Sequence, residues 1–222
     1  MPTASQVLPL HGSGSRRKGE RTAARILDAA EALFAERGYE GTTLRDVAAR
    51  VGIRNPSLYN HFASKESLYA AVLERGIGPL LEVLSESVET GSAAFRDSSP
   101  IVERMMELLS QRPNLPRLVL HETLAGGQRL TPMLRDWIVP IFARAHEMVE
   151  AGPAAERWTA DRIPLLVLAM YHVFVGYFTI APLYRDLNGQ DLLTDEALAK
   201  QTRFLTDLVA ILFSEAGSHP EG

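Results

Sequence analysis

The segment VGIRNPSLYNHF, from Val51 to Phe62, places a glycine, a proline and several polar residues between two stretches with helical periodicity. Asn55 followed by Pro56 is typical of a helix start, with asparagine as the N-cap and proline at the first helical position. Leu58 and Phe62 are four residues apart, so they share one helical face. The segment therefore predicts a very short helix that buries Leu58 and Phe62 and turns its polar residues outward.

Two helices and a tight turn are predicted before this segment. The first helix runs from about Glu20 to Arg37, with apolar residues on one face. Thr43-Leu44-Arg45-Asp46 matches a capping box that begins a second helix, and Gly52 supplies the turn. This order is the helix-turn-helix plan, in which the short helix enters the major groove of DNA. An ordinary helical hairpin is the alternative, but the capping box, the glycine turn and the Asn-Pro start together count against it.

The distribution of charge differs between the two parts of the chain. The protein has 222 residues, 46% of them hydrophobic, and a formal net charge of −4. Residues 1–75 contain 11 Lys and Arg against 8 Asp and Glu, and the remainder contains 12 against 19, which gives net charges of +3 and −7. A mildly basic head on an acidic body indicates an anionic partner for the head.

Composition also bears on location. The chain has no cysteine, which excludes a disulfide framework and a thiolate metal site and fits a reducing cytosol. No uninterrupted apolar stretch approaches about 18 residues, so we predict no membrane span. The apolar run from Val7 to Leu10 is too short for a signal peptide. We therefore expect a cytoplasmic protein.

The N-terminal residues are predicted to lack regular structure. Residues 1–19 are rich in Ser, Gly and Pro and contain the run Arg16-Arg17-Lys18, which is typical of a disordered basic arm. This arm is either a solvated tail or a segment that contacts DNA phosphates or a minor groove.

A fourth, longer helix is predicted after the short one. Ser64 is its expected cap and Lys65 lies in its first turn. Gly76, Gly78 and Pro79 interrupt it and indicate either an ordinary kink or a hinge that transmits ligand binding.

A dense series of short motifs runs through this region. The motifs are Ile26-Leu27-Asp28-Ala29-Ala30, Leu33-Phe34-Ala35-Glu36-Arg37-Gly38-Tyr39, Gly41-Thr42-Thr43, Asp46-Val47-Ala48, Val51-Gly52, Ser57-Leu58-Tyr59, His61-Phe62 and Lys65-Glu66-Ser67-Leu68. Together they resemble the DNA-binding domain of the tetracycline-repressor (TetR) family over residues 21–81. The resemblance implies an all-α protein, in which an N-terminal three-helix helix-turn-helix domain is joined by a fourth helix to a larger helical domain for ligand binding and dimerisation.

The resemblance also implies boundaries and partners. We expect the arm at 1–19, the helix-turn-helix domain at 20–81, the ligand-binding and dimerisation domain at 82–216, and a flexible tail at 217–222. The protein would be a ligand-responsive transcriptional regulator, by family default a repressor. As a homodimer it would bind a palindromic operator in double-stranded DNA, and a small apolar effector would release it.

Contacts with phosphates are assigned by resemblance. Tyr59 and His61 match positions that usually contact phosphates. Lys65 matches the lysine at the start of the fourth helix that does the same, and Thr43 the threonine at the start of the second. Helix N-termini and lysine are natural phosphate partners, so the chemistry of these residues agrees.

Base reading is expected from the outward face of the short helix, at Arg54, Ser57 and Asn60. Asn55 is ambiguous, because the side chain of an N-cap residue is already bonded to the backbone. Family members often carry an aromatic residue at position 60, so the asparagine here prevents inference of the operator from relatives.

Two long helices are predicted near the C-terminus. One is almost entirely apolar and runs from about Asp161 to Tyr184, and the last begins at the cap Thr194. An apolar helix must be covered on every side, so we expect these two to pack against their copies in a partner. The resemblance implies that they form the four-helix bundle of a two-fold dimer, which suits a palindromic site.

Soft and aromatic side chains of the second domain are candidates for an effector pocket. Such side chains with a few polar groups suit an apolar small molecule. Residues of these types at helical spacing are also typical of an ordinary core, and both interpretations stay open. The residues predicted to line the pocket are Met105, His121, Trp137, Met170, Tyr171 and Phe174.

Catalytic motifs are missing from the sequence. It contains no Gly-x-Ser-x-Gly, no phosphate-binding loop, no dinucleotide fingerprint and no His-Glu-x-x-His. His146-Glu147 begins a similar pattern, but Glu150 stands where the second histidine is needed. We predict that the protein is not an enzyme and needs no metal or cofactor. The alternative function is a helical ligand- or partner-binding protein without specific DNA binding, against which the polar face of the short helix counts.

Overall fold

A computed structural model describes residues 13–90, 99–150, 159 and 161–213. Every regular element in these ranges is a helix, which confirms the predicted all-α class. The helices are α1 Ser13–Arg37, α2 Leu44–Val51, α3 Asn55–Tyr59, α4 Lys65–Thr90, α5 Ser99–Gln111, α6 Leu115–Leu124, α7 Leu130–Glu150, α8 Ile163–Asn188 and α9 Asp195–Phe213.

The chain divides into two compact units, Met1–Val72 and Leu73–Gly222. Helices α1 to α3 and the beginning of α4 belong to the first unit, and the remainder of α4 belongs to the second with α5 to α9. The expected domain boundary at residue 81 falls within α4 and stays a prediction.

The first unit is held together by apolar side chains from all four of its helices. Ala30 and Phe34 of α1, Val47 of α2 and Leu68 of α4 are fully buried, and Leu58 of α3 is nearly so. Burying such side chains is the main favourable term in folding. These contacts fix α3 against its neighbours, as the spacing of apolar residues predicts. Phe62, the other predicted anchor of α3, is only half-buried, because α3 ends at Tyr59 before it.

The cap and the turn predicted at the two ends of α2 are confirmed. The Asp46 backbone N–H donates to Thr43 Oγ1 over 3.2 Å, and the Thr43 backbone N–H donates to Asp46 Oδ2 over 3.0 Å, which completes the capping box. Gly52 ends α2 with φ of +76°, a left-handed conformation that glycine adopts without steric cost. Arg25 Nη2 donates to the carbonyl of Val51 over 2.8 Å, so α1 also holds the end of α2.

Helix α1 begins earlier than expected. Its first residue is Ser13 rather than a position near Glu20, so residues 13–19 of the predicted arm are helical. Arginine, lysine and glutamate are good helix formers, and Gly19 is tolerated inside the run. Residues 1–12 of the predicted arm, and the predicted tail at 217–222, lie outside the described residues.

The prediction that Asn55 caps α3 is wrong by one residue. The carbonyl of Arg54 accepts the first helical hydrogen bonds, from Ser57 N over 2.9 Å and Leu58 N over 3.3 Å. Arg54 is therefore the N-cap and Asn55 the first helical residue. Pro56 remains compatible with this register, because the first turn of a helix has no intrahelical partner for its N–H groups.

The second unit packs α5 against α9 and α8 against both α6 and α7. The predicted cap of α9 is confirmed, since the Ala197 N–H donates to Thr194 Oγ1 over 3.3 Å. In the sequence, Thr131 followed by Pro132 is a plausible cap for α7, but Thr131 lies inside that helix. Buried Glu122 of α6 takes that role, because its carboxylate accepts the backbone N–H groups of Arg129 and Leu130, each over 3.3 Å.

Helix α8 exposes much of its apolar surface. It spans 26 residues, and its most apolar 18-residue window has a mean hydropathy of 1.9 and is 17% buried. By length and composition it satisfies the criteria for a membrane span, contrary to the expectation that no segment does. His172 and Thr179 interrupt the apolar run, and the first Asp, Glu, Lys or Arg residue of the helix is Arg185 in its last turn. Five exposed residues recur on one face at helical spacing, namely Leu165, Leu168, Ile180, Leu183 and Leu187.

The glycines of α4 are expected to respond in opposite ways to alanine. A Cβ at Gly76 would lie 2.6 Å from Leu115 Cδ1, whereas a Cβ at Gly78 meets no atom within 4 Å. Leu115 is 1% exposed, so the close contact would have to be relieved within a packed interior. Gly76→Ala should therefore destabilise the protein by about 1–2 kcal/mol, since overpacking outweighs the gain in helix propensity.

Gly78→Ala is the matched control and should stabilise the protein by about 0.5–1 kcal/mol. Urea unfolding of the two variants measures both effects. Equal stabilisation by both substitutions would show that α4 and α6 are not in close contact at Gly76. Pro79 is accommodated within the same helix, and the hinge role of these residues stays a prediction.

Candidate nucleic-acid interface

A shallow groove of about 440 Å³ lies in the first unit, where the start of α2, the helix α3 and the start of α4 meet. It brings together the predicted DNA-contacting residues Thr43, Asn55, Tyr59 and Lys65. The rest of its lining consists of Thr42, Leu44, Arg45, Ala63 and Ser64.

Two helix N-termini converge at this groove. Thr43 caps α2, and Ser64 caps α4 by exchanging hydrogen bonds with Ser67 over 3.1 and 3.0 Å. Each N-terminus carries a partial positive charge and free backbone N–H groups. Arg45 and Lys65 add full positive charges at the same place. The groove therefore suits an anion such as a phosphate group.

The hydroxyl group of Thr43 is already engaged within the capping box. It donates to Asp46 Oδ2 over 2.6 Å and accepts from the Asp46 N–H over 3.2 Å. The hydrogen bonds that the Thr43 hydroxyl and the Thr43 backbone N–H donate to the Asp46 carboxylate hold the pKa of Asp46 below its usual value. The groups that α2 offers to an anion are then the backbone N–H groups of its first turn, at Leu44 and Arg45.

The outward face of α3 is polar. Arg54, Asn55 and Asn60 are exposed, and Ser57 is half-buried beside them. Within the described part of the chain, none of these four side chains has a hydrogen bond or an ion pair. The side chain of Asn55 is therefore not used as a cap, which removes the ambiguity raised by the sequence.

Tyr59 and His61 flank this face in different environments. The Tyr59 side chain is 53% exposed and lines the groove. His61 follows the end of α3, is half-buried and is not part of the groove lining. The groove therefore unites Tyr59 with Lys65 and leaves His61 beside it.

Lys65 is held by an aromatic side chain that sequence reasoning did not single out. Its Nζ lies 4.1 Å from the centroid of the Tyr39 ring. The Tyr39 hydroxyl donates to Glu66 Oε1 over 2.7 Å. That hydrogen bond is the main cause that lowers the pKa of Glu66 to about 2, so the carboxylate is ionised at neutral pH.

Sequence reasoning also missed Arg45 and, next to the predicted basic run Arg16-Arg17-Lys18, Arg21 of α1. Arg45 is exposed in the first turn of α2 and lines the groove. A basic residue in a first turn opposes the helix dipole, and this mismatch is a signal for a bound anion. Arg17, Lys18 and Arg21 are exposed on α1.

The predicted effector pocket of the second unit is supported unevenly. Phe174 is buried and Met105, Met170 and Tyr171 are half-buried. His121 is exposed on α6, contrary to the expectation of a polar group inside a pocket, because α6 turns Leu118 and Glu122 inward instead. The side chain of Trp137 lies outside the described residues. Among the described residues, no group of three or more His, Cys, Asp or Glu side chains is placed to hold a metal ion.

Comparison with known proteins gives three results. Residues 26–72 match the model of the family "Bacterial regulatory proteins, tetR family". Over 129 residues the chain is 27% identical to IcaR, the negative transcriptional regulator of the biofilm operon icaADBC of Staphylococcus epidermidis; this covers 55% of the chain and 70% of IcaR. Over 77 residues it is 44% identical to the transcriptional repressor KstR2 of Rhodococcus jostii, covering 35% of the chain and 37% of KstR2.

The fold has a counterpart among solved structures. SCO4942 from Streptomyces coelicolor superposes with a TM-score of 0.65 at 23% identity, over 87% of this chain and 99% of that one. At this identity the likeness concerns the fold, and it extends over both the helix-turn-helix region and the larger helical part.

Proposed function

We propose that this chain, whose residues 26–72 match the tetR family of bacterial regulatory proteins, is a DNA-binding transcriptional regulator of that family. In this proposal α3 reads a palindromic operator while the groove holds the flanking phosphates. The observation that carries this proposal is the groove itself. Two capped helix N-termini, Arg45 and Lys65 meet there, next to a helix whose outward side chains have no partner among the described residues.

Phosphate contacts are assigned to the groove and its flanks. Lys65 and Arg45 supply charge, and the first turns of α2 and α4 supply N–H donors. Tyr59 donates from its exposed hydroxyl. The remaining phosphate contacts are assigned to His61 and to the capped start of α2 at Thr43. Exposed Arg17 and Arg21 lie one helical turn apart on α1, on the side of Arg25, which bonds to the end of α2. This supports the hypothesis that the N-terminal basic segment adds backbone contacts.

Base contacts are assigned to Arg54, Asn55, Ser57 and Asn60. Arginine pairs bidentately with guanine, and asparagine with adenine, in the major groove. We assign Asn55 to the same group, because its amide makes no capping bond and is available for a base. Ser57 is small enough to let the helix approach the base edges closely.

A second copy of the chain is the proposed partner of α8 and α9. The apolar stripe on α8 is exposed within one protomer, and so are Phe204 and Ile211 on α9, seven residues apart. Apolar surface of this extent on a soluble chain is typical of a protein interface. A two-fold dimer places two α3 helices on the two halves of a palindrome.

Repression and release by an effector complete the proposal. IcaR is a negative regulator and KstR2 a repressor by name, and we extend repression to this chain. We place it in the cytoplasm, where it meets DNA. The proposed effector is a small apolar molecule bound near Phe174, Met170 and Tyr171, which are at least partly buried. A compound that raises the melting temperature and releases bound DNA would identify it.

Selection of bound fragments from a pool of random duplexes tests the DNA-binding proposal, and two variants then separate its parts. On the selected duplex, Asn60→Ala should lose about 1–3 kcal/mol of discrimination at one base pair. Lys65→Ala should weaken binding to selected and random duplexes alike and reduce the salt slope by about 0.9.

Fluorescence anisotropy at several salt concentrations measures both effects. Equal effects of Asn60→Ala on selected and random duplexes would refute its role as a base reader. A pool that yields no preferred sequence at low salt would refute operator binding as a whole.

A further inference from the structure

The ring of Tyr39 is fixed in a small aromatic cluster. Tyr39 follows α1 and is buried in the first unit. Its centroid lies 6.0 Å from that of Phe34, in a stacked arrangement, and 4.9 Å from that of Tyr69, edge to face. The ring centroids of Phe34 and Tyr69 lie 4.7 Å apart, and both side chains are buried. Aromatic pairs in these geometries are mutually attractive, so the Tyr39 ring has one preferred position.

Two neighbouring residues of opposite charge contact different parts of this ring. The Glu66 carboxylate accepts the hydroxyl hydrogen of Tyr39, and the Lys65 ammonium lies over the ring face at 4.1 Å from its centroid. Lys65 makes no ion pair with any residue in the part of the chain that the structure describes. Among the causes that lower the pKa of Glu66, the Tyr39 hydrogen bond is the largest and the charge of Lys65 the smallest. Glu66 is therefore anchored to Tyr39 rather than to Lys65.

We propose that Tyr39 is a positioning residue for phosphate binding: its hydroxyl keeps Glu66 away from Lys65, and its ring face holds Lys65 at the groove. The inference rests on the proposed function. A carboxylate released from Tyr39 would pair with the adjacent ammonium or repel an incoming phosphate. A cation over a ring keeps its full charge, because the aromatic face attracts it without supplying a counterion. Tyr39 thus leaves the charge of Lys65 available to DNA.

Three variants test this arrangement with a duplex of random sequence, titrated over a range of salt concentrations. Tyr39→Phe keeps the ring and removes the hydroxyl. We expect it to weaken binding about three- to tenfold and to flatten the slope of log K against log salt by up to about 0.9, the value for one phosphate contact. Glu66→Gln alone should bind at least as well as the wild type. The double variant, Tyr39→Phe with Glu66→Gln, should return to the wild-type slope, because no carboxylate is left to compete.

Glu66→Asp gives an independent test that leaves the aromatic cluster untouched. Its shorter carboxylate does not reach the Tyr39 hydroxyl but keeps its charge beside Lys65, so it should weaken binding as Tyr39→Phe does. A purely structural role of Tyr39 would produce the same loss in Tyr39→Phe and in the double variant, and that result would overturn the proposal.

Lys65→Ala separates this proposal from the function on which it rests. If the wild type does not bind the duplex at low salt, DNA binding itself fails. If the wild type binds and Lys65→Ala flattens the slope, while Tyr39→Phe and Glu66→Asp leave it unchanged, only the positioning role of Tyr39 fails.

Discussion

Leu58→Ala is expected to destabilise the first unit by about 2–5 kcal/mol and to abolish sequence-specific DNA binding. Leu58 is 1% exposed and is the buried residue of the five-residue helix α3. So short a helix is not stable by itself in water, and its position depends on packing. Removing the leucine side chain leaves a cavity where α3 meets the core, and α3 then loses its fixed orientation. Thermal or urea unfolding of the variant measures the loss of stability.

Tyr59→Ala is the matched control, one residue along the same helix. Tyr59 is 53% exposed, so its truncation should change stability by no more than about 0.5 kcal/mol. It should still weaken binding to every duplex, because it removes a proposed phosphate contact. Leu58→Ala should therefore lose both stability and specific DNA binding, whereas Tyr59→Ala should lose only affinity for DNA. Similar stability of the two variants would mean that α3 is not anchored by Leu58.

Phe204→Glu is expected to convert a dimer to a monomer. The Phe204 side chain is 60% exposed within one protomer, on the face of α9 proposed to meet a second copy. Burial of a phenylalanine contributes about 1.5–3 kcal/mol, and two-fold symmetry makes the contribution twice. Its loss, with a carboxylate placed in an apolar interface, should raise the dimer dissociation constant at least about a hundredfold. The wild type should sediment at twice the chain mass of 24.4 kDa and the variant at that mass.

Leu124→Glu is the control for a charge added to an exposed apolar residue. Leu124 is 77% exposed on α6. The neighbouring Thr123 hydroxyl lies 3.1 Å from that of Tyr171, which is on a different side of α8 from the leucine stripe. We expect this variant to remain a dimer. A dimeric Phe204→Glu, or a wild type that is monomeric in solution and associates only with lipid vesicles, would refute the proposed dimer.

The elements that the sequence predicted well depend on neighbours a few residues apart. The Thr43 capping box, the Gly52 turn and the Ser64 cap are each completed within four residues. The inward position of Leu58 also follows from periodicity. Such signals are local, so one sequence is sufficient to recognise them, and together they define the helix-turn-helix plan.

Other features depend on contacts that no local pattern contains. Thr131 looks like a cap in sequence, yet Glu122 from the preceding helix satisfies the start of α7. The register of α3 is set by which carbonyl accepts the first hydrogen bond, and this moves the cap from Asn55 to Arg54. In each case two residues could cap the same helix start, and the packing of the surrounding helices decides which of them does so.

By itself, the sequence determined that the protein is all-helical and carries a short polar helix anchored by Leu58, because capping and periodicity act over one or two helical turns. Only the tertiary structure placed Lys65 over the ring of Tyr39 and gathered the starts of α2 and α4 into one groove. Tyr39 and Glu66 are 27 residues apart in the chain. Their contact exists because α1 and α4 pack together around the aromatic cluster, and such packing is a property of the folded core.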